Sequence, residues 1–93
     1  MIRSFADPRT EEVFHGNSPR GFPPDILANA RRRLDQINHV DSLRDLAVPP
    51  GNRLERFLGN LKDFYSVRVG RQWRIIFRWR DGHAYDVELI DYH

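Results

Sequence analysis

The residues best equipped for chemistry gather in the last third of the chain, FYSVRVGRQWRIIFRWRDGHAYDVELIDYH over residues 64–93. If its alternating segments are strands, one face carries Ser66, Arg68, Arg74, Ile76, Arg78, Asp86, Glu88 and Tyr92. Arg68 then lies directly across from Arg74, and like charges in that position repel. Compensation must come from Glu88, which also falls opposite Arg74 in this register, or from an anion outside the chain. Two readings stand side by side. The face is solvated and neutralised by Asp86 and Glu88, or it binds phosphate, whose oxygens a guanidinium fork grips bidentately. Beyond it lies a polar end, Asp91-Tyr92-His93; a histidine there is ordinarily no more than a tail.

Other chemistries find no footing. The four histidines, at 15, 39, 83 and 93, have no carboxylate or histidine at zinc-ligand spacing, so no metal is expected. There is no Gly-rich phosphate loop, no Ser-centred elbow and no cysteine. No cofactor signature appears, and so short a chain offers little pocket for a metabolic enzyme. His83 reads as a turn residue; His15 and His39 sit near helix ends, where cations are welcome.

Two hairpins must position the arginine face. A three-residue Gly70-Arg71-Gln72 loop sets Val69 opposite Trp73, Val67 opposite Ile75 and Tyr65 opposite Phe77. For the second hairpin, a two-residue Asp81-Gly82 turn would set Trp79 opposite Ala84 and Ile75 opposite Glu88. A three-residue Arg80-Asp81-Gly82 turn instead sets Trp79 opposite His83, Phe77 opposite Tyr85, Ile75 opposite Val87 and Trp73 opposite Leu89. A one-residue slip turns a whole strand over, so burial of an apolar face selects the second register.

The first half supplies the other layer. Met1 to Phe5 reads as an opening strand. Asp7-Pro8 starts a short helix: Asp7 caps free amides, Pro8 suits the first helical position, and Gly16 can end it. NSPRGFPP, residues 17–24, is a loop. A second helix opens at Pro24 or Asp25 and runs to about Asn38, with Ile26, Leu27, Ala30, Leu34 and Ile37 on one buried stripe. Arg31, Arg32 and Arg33 read as a solvated helix face, or else as a docking surface for RNA or a partner. DSLRDL is a short helical turn before a Pro-Pro-Gly break. Asn52 to Leu58 is a candidate first central strand, and residues 59–63 a loop.

Ninety-three residues make one domain, residues 1–93, with one modest core. Fourteen of the fifteen basic residues are arginine and only Lys62 is lysine, which suits nucleic acid although the net charge is just +2. No apolar run approaches membrane-spanning length and Met1-Ile2-Arg3 does not open a signal peptide, so no membrane role is expected and a small, soluble, cytoplasmic protein is.

The order MIRSF, PPGNRLERFLGN, YSVRV, QWRIIFRW, DGHAYDVELIDYH followed by the chain end resembles the HigB group of RelE-superfamily toxins, over nearly the whole chain. The resemblance implies an α+β RelE-like microdomain: two N-terminal helices packed on a twisted, mostly antiparallel sheet. It implies the toxin half of a toxin–antitoxin pair, cutting messenger RNA in the ribosomal decoding site without metal. There the ribose 2′-hydroxyl attacks the adjacent phosphate, which calls for cations around the phosphorane and groups that take and return protons. Arg74, in the matching WR position, carries over as the stabilising cation. His93 carries over as general acid or base, Tyr92 as the residue that stacks on or hydrogen-bonds the displaced nucleotide, and Asp91 as the residue that orients His93. Arg68, Arg71 and Arg78 are added as RNA- or phosphate-binding residues.

The chain departs from the family at one place. Where some members have histidine and lysine, Glu55 and Leu58 stand; Glu55 can accept a proton, whereas Leu58 supplies no charge. That suggests slower cleavage, altered codon preference or a weaker toxin, and it keeps open a catalytically silent ribosome- or antitoxin-binding module. The implied partners are a HigA-like helix-turn-helix antitoxin, the ribosome and messenger RNA. Operator DNA would be read only through the antitoxin complex, since this chain has no helix-turn-helix.

Overall fold

The computed structural model describes residues 1–56 and 63–92. Helix α1, Pro8–Phe14, starts where extended Asp7 accepts the Arg9 backbone N–H at 3.0 Å. Pro8 at its first position lacks only an N–H that would have had no helical partner. The chain leaves α1 through Gly16, whose φ of +93° favours a residue without a side chain. Helix α2, Pro24–His39, buries Ile26, Leu27, Ala30, Leu34 and Ile37, the stripe expected from their spacing. A short α3, Leu43–Ala47, adds Leu46 to the same core.

The strands are β1 (Glu55–Arg56), β2 (Phe64–Arg68), β3 (Trp73–Arg80) and β4 (His83–Asp91), paired antiparallel in chain order. Residues 1–6 run parallel beside β4 through bridges at Ile2–Ala84 and Phe5–Val87, so the opening segment extends the sheet. This is an α+β fold with both N-terminal helices against a mostly antiparallel sheet, as expected. Its core joins Val13, Ala30, Leu34 and Ile37 from the helices to Val67, Ile75, Phe77, Ala84, Val87 and Leu89 from the sheet. Thr10 is buried among them, and its hydroxyl accepts the Leu89 N–H at 3.0 Å, fastening α1 to β4.

The stretch from Asn52 is not a central strand. Pro50–Asn52 is a 3₁₀ turn, Arg53 is left-handed (φ 43°), and among the described residues of the stretch Glu55 and Arg56 pair, at the sheet's edge. The Pro-Pro-Gly sequence spends its residues on the turn, leaving little chain for pairing. Leu58 and most of the loop expected over residues 59–63 lie outside the described residues.

The first hairpin keeps the expected register, with Val67 opposite Ile75, Tyr65 opposite Phe77 and Arg68 opposite Arg74. The second corrects the expectation. Asp81 and Gly82 both have positive φ (52° and 80°), as a two-residue turn of the primed kind requires, and Arg80 pairs with His83 and Trp79 with Ala84. Further along, Ile76 pairs with Glu88 and Ile75 with Leu89, so one extra residue is absorbed across from Phe77. That residue is Asp86 (φ 54°), whose N–H is taken by Ser4 Oγ at 2.9 Å. The bulge satisfies both demands at once. Ala84 before it and Val87 and Leu89 after it all reach the core, where strict alternation would have buried His83 and Tyr85. Glu88 therefore lies opposite Ile76, and Ile90 takes the place opposite Arg74 that had been expected for Glu88.

Candidate nucleic-acid interface

The sheet face turned away from the helices combines buried positions with a charged surface. Phe64, Ser66 and Ile76 alternate with the core-facing residues and are nonetheless buried, at 7%, 3% and 7% exposure. On this face, with Ser66 in its lining, opens a cleft of about 360 Å³ between β1, β2, the β2–β3 turn and the C-terminal end. Arg53, Arg56, Arg68, Arg71 and Arg74 line it, with Glu55, Ser66, Gly70 and Tyr92. Five guanidinium groups against one carboxylate make it strongly cationic, although the whole chain carries only +2.

Arg74 is held from several sides. Its Nε donates to Ser66 Oγ at 2.9 Å, and its Nη2 donates to the Arg53 carbonyl at 2.8 Å and the Ser66 carbonyl at 3.4 Å. Nη2 also meets Glu55 Oε1 at 3.1 Å, and the Arg74 side chain is only 13% exposed while that of Glu55 is 65% exposed. A planar fork with this many acceptors has little rotational freedom left. The left-handed turn at Arg53 is what points its carbonyl inward. The compensating carboxylate for the Arg68–Arg74 pair is thus Glu55, reached across the sheet edge. Arg68 turns the other way, its Nε donating to the Gly70 carbonyl at 3.2 Å.

The C-terminal end is tied to the hairpin tip. The Tyr92 N–H donates to the Gln72 carbonyl, and Gln72 Nε2 donates to Asp91 Oδ2 at 3.4 Å. This leaves the Tyr92 ring, half exposed, on the cleft wall. Asp91, opposite Trp73, stands outside the cleft lining, beside the tip. His93 lies outside the described residues.

Of the residues singled out in the sequence, the cleft brings together Glu55, Arg68, Arg71, Arg74 and Tyr92. Arg78 is not among them: it pairs with Asp86 at 3.3 Å and stacks over Phe64 at 5.4 Å. Arg53 and Arg56 were not singled out. The signal for them was their place flanking Glu55 in NRLER.

Arg31 and Arg33 are neither a solvated face nor a free docking surface. Arg31 donates to the Val13 carbonyl at 3.2 Å and the Asn17 carbonyl at 2.7 Å, closing the loop between the first two helices. Arg33 donates to the Arg68 carbonyl at 3.1 Å. Burial, with Arg32 alongside, lowers the Arg33 pKa from its ordinary value. Arg32 is exposed and bonds Asn29. Among the described residues no three His, Cys, Asp or Glu side chains converge as a metal site would need, and no helix is long and apolar enough to cross a membrane.

The sequence over residues 3–93 matches the family described as the RelE-like toxin of type II toxin–antitoxin system HigB. It is 37% identical over 90 residues to Toxin HigB-1 of Vibrio cholerae, covering 96% of this chain and 95% of that one. It is 28% identical over 97 residues to Endoribonuclease HigB of Proteus vulgaris, covering both chains completely. Among solved structures, the YoeB–YefM complex from Staphylococcus aureus matches with a TM-score of 0.60 at 18% identity, over 100% of this chain and 98% of that one. The YoeB dimer from the same organism matches with a TM-score of 0.60 at 20% identity, over 99% and 97%. These two likenesses are of fold.

Proposed function

The chain belongs to the HigB-like family of RelE-like toxins from type II toxin–antitoxin systems, and from that membership we propose that it is an endoribonuclease cutting messenger RNA on the ribosome. The observation that carries the reading is Arg74, fixed by Ser66 and the Arg53 carbonyl at the centre of a cleft with four further arginines. Preorganised cations are what a phosphoryl transfer without metal demands, because charge on the phosphate oxygens grows as the phosphorane forms.

In the reaction the ribose 2′-oxygen bonds to the neighbouring phosphorus and the bond from phosphorus to the 5′-oxygen breaks. A cyclic phosphate and a free 5′-hydroxyl result. The 2′-hydroxyl proton leaves to a base, and a proton is returned to the departing 5′-oxygen. Arg74 stabilises the equatorial oxygens, while Arg68 and Arg71 bind the backbone on the hairpin side. Glu55, which lies against Arg74, accepts the first proton; His93 returns the second and Asp91 orients it. Tyr92 offers its ring to the displaced nucleotide. Arg78, paired with Asp86, is a peripheral backbone contact. The partners are the decoding site, the message and a HigA-like helix-turn-helix antitoxin, through which alone operator DNA is engaged.

One observation favours a weaker activity. Glu55 places a carboxylate against the very guanidinium that would receive phosphate, and RNA must displace or share it. A silent binding module is the limiting case.

Cell-free translation with purified protein and ribosomes, followed by primer extension on the message, tests the reading. Cuts should appear only with ribosomes and fade in both Arg74→Ala and His93→Ala. Blocked translation without cuts would favour the binding module; cuts on ribosome-free RNA would remove the ribosome from the proposal.

A further inference from the structure

Antiparallel pairs alternate between residues that bond each other and residues whose N–H and C=O point away. Val69 donates to the Trp73 carbonyl at 2.9 Å, so the next pair, Arg68 and Arg74, is of the second kind. The Arg68 carbonyl therefore faces the β1 side of the sheet. There β1 begins at Glu55, opposite Ser66, and does not reach the position across from Arg68. A carbonyl at this open edge, two residues from the cleft's hairpin wall, has no strand to receive it.

Helix α2 supplies the missing donor. Arg33 Nε reaches the Arg68 carbonyl at 3.1 Å. Two more polar residues at helical spacing on the same face of α2 do related work. Asn29 Nδ2 reaches the Val69 carbonyl at 3.4 Å. Gln36 Oε1 accepts from Asn52 Nδ2 at 2.9 Å, and buried Asn52 precedes the left-handed Arg53 whose carbonyl holds Arg74. The stripe Asn29-Arg33-Gln36 thus ties one helix to both walls of the cleft. Arg33 is partly withdrawn from water to do so, which an arginine serving only solubility would not be. It remains a cation there, because a guanidinium does not lose its proton in a protein.

We propose that Arg33 is a positioning residue for the arginine cleft, holding the open edge of β2 so that Arg68 and the Gly70-Arg71 tip keep their alignment toward a bound phosphate backbone. This rests on the nuclease reading for its consequence in catalysis. The lysine variant keeps the charge but offers a mobile ammonium in place of a planar fork, so it restores the contact only in part.

The test compares Arg33→Ala and Arg33→Lys with Arg32→Ala, which removes an equal charge from the next residue. The probe is a single-stranded RNA made uncleavable by 2′-deoxy substitution. Arg33→Ala should weaken its binding roughly tenfold, as loss of a charge-assisted hydrogen bond predicts. It should also flatten the salt dependence by about one phosphate contact, because Arg68 drops out. Arg33→Lys should recover part of both, and Arg32→Ala should match the wild type in slope. In ribosome assays the loss should fall on KM more than on kcat. Equal affinities and slopes for Arg33→Ala and Arg32→Ala would overturn the proposal. Should the wild type neither bind nor cut RNA, the nuclease reading fails first. The alignment of Arg68 is then judged by hydrogen exchange at its side-chain Nε–H, which donates to the Gly70 carbonyl and should quicken in Arg33→Ala alone; unchanged exchange would overturn the proposal.

Discussion

Arg68 and Arg74 face each other across the β2–β3 ladder, and their guanidinium groups turn in opposite directions. Arg68 bends along its own strand to the Gly70 carbonyl, while Arg74 bends to Ser66, the Arg53 carbonyl and Glu55. A juxtaposition that costs stability is thereby converted into two cations turned apart along one cleft. Arg74 is the more constrained of the two. Replacing it with alanine should lower ribosome-dependent cleavage about a hundredfold or more, the range for losing one preorganised donor. Arg74→Lys should stay close to that level, since a single ammonium cannot keep Ser66 Oγ and the Arg53 carbonyl while also meeting phosphate. Single-turnover cleavage rates check this; near-wild-type rates for Arg74→Lys would show that charge alone suffices.

Glu55 separates affinity from turnover. Its carboxylate is mostly exposed, so Glu55→Gln should change folding stability by no more than about 1 kcal/mol. Removing a negative charge beside the phosphate path should tighten RNA binding roughly fivefold at low salt. If Glu55 also takes the 2′-hydroxyl proton, turnover should fall about a hundredfold in the same variant. Binding to uncleavable RNA and single-turnover cleavage, measured on one preparation, give the two numbers. Tighter binding with unchanged turnover would leave Glu55 as a brake and remove it as a base.

Much of this arrangement was legible in residue order, and the exceptions have physical causes. The Asp7-Pro8 start, the α2 stripe and the Arg68–Arg74 pairing follow from local rules that tertiary contacts do not override here. The second hairpin did not follow strict alternation, because Asp86 takes a left-handed conformation and Ser4, far away in sequence, satisfies its N–H. Nothing in DGHAYDVELI announces that acceptor. Arg33 was hidden differently: its partner is a backbone carbonyl, and a backbone carbonyl carries no residue signature. Arg53 joins the cleft through a left-handed residue after a 3₁₀ turn, and Arg56 through the edge strand, neither of which shows as a hydrophobic period.

Thr10 links the first helix to β4, the strand that leads to Tyr92 on the cleft wall. It is fully buried, and Thr10→Val keeps its volume while leaving the Leu89 N–H without an acceptor. An unpaired buried donor costs about 1–3 kcal/mol. For a domain of this size each kcal/mol lowers the melting temperature by roughly 4–8 °C. Thermal denaturation should show that drop, with faster hydrogen exchange at the Leu89 amide. Wild-type stability would mean that α1 is held to β4 by apolar packing alone.

Asp86 carries the bulge on which the placement of Val87, Leu89 and the C-terminal end depends. At φ 54° a β-branched residue is strained, asparagine or aspartate is tolerated, and glycine is at ease. Asp86→Gly relieves strain but gives up the contact with Arg78, a partly exposed pair that contributes at most about 1 kcal/mol. The two effects nearly cancel. Asp86→Val gives up the same contact and adds the left-handed penalty, so it should be less stable than Asp86→Gly by about 1–2 kcal/mol. Urea denaturation of the pair measures the difference with the ion pair absent from both. Because a collapsed bulge would turn Leu89 outward and drag Tyr92 off the cleft wall, Asp86→Val should also lose RNA affinity while Asp86→Gly keeps it. Equal stability of the two variants would show that the positive φ at Asp86 imposes no demand on side-chain type.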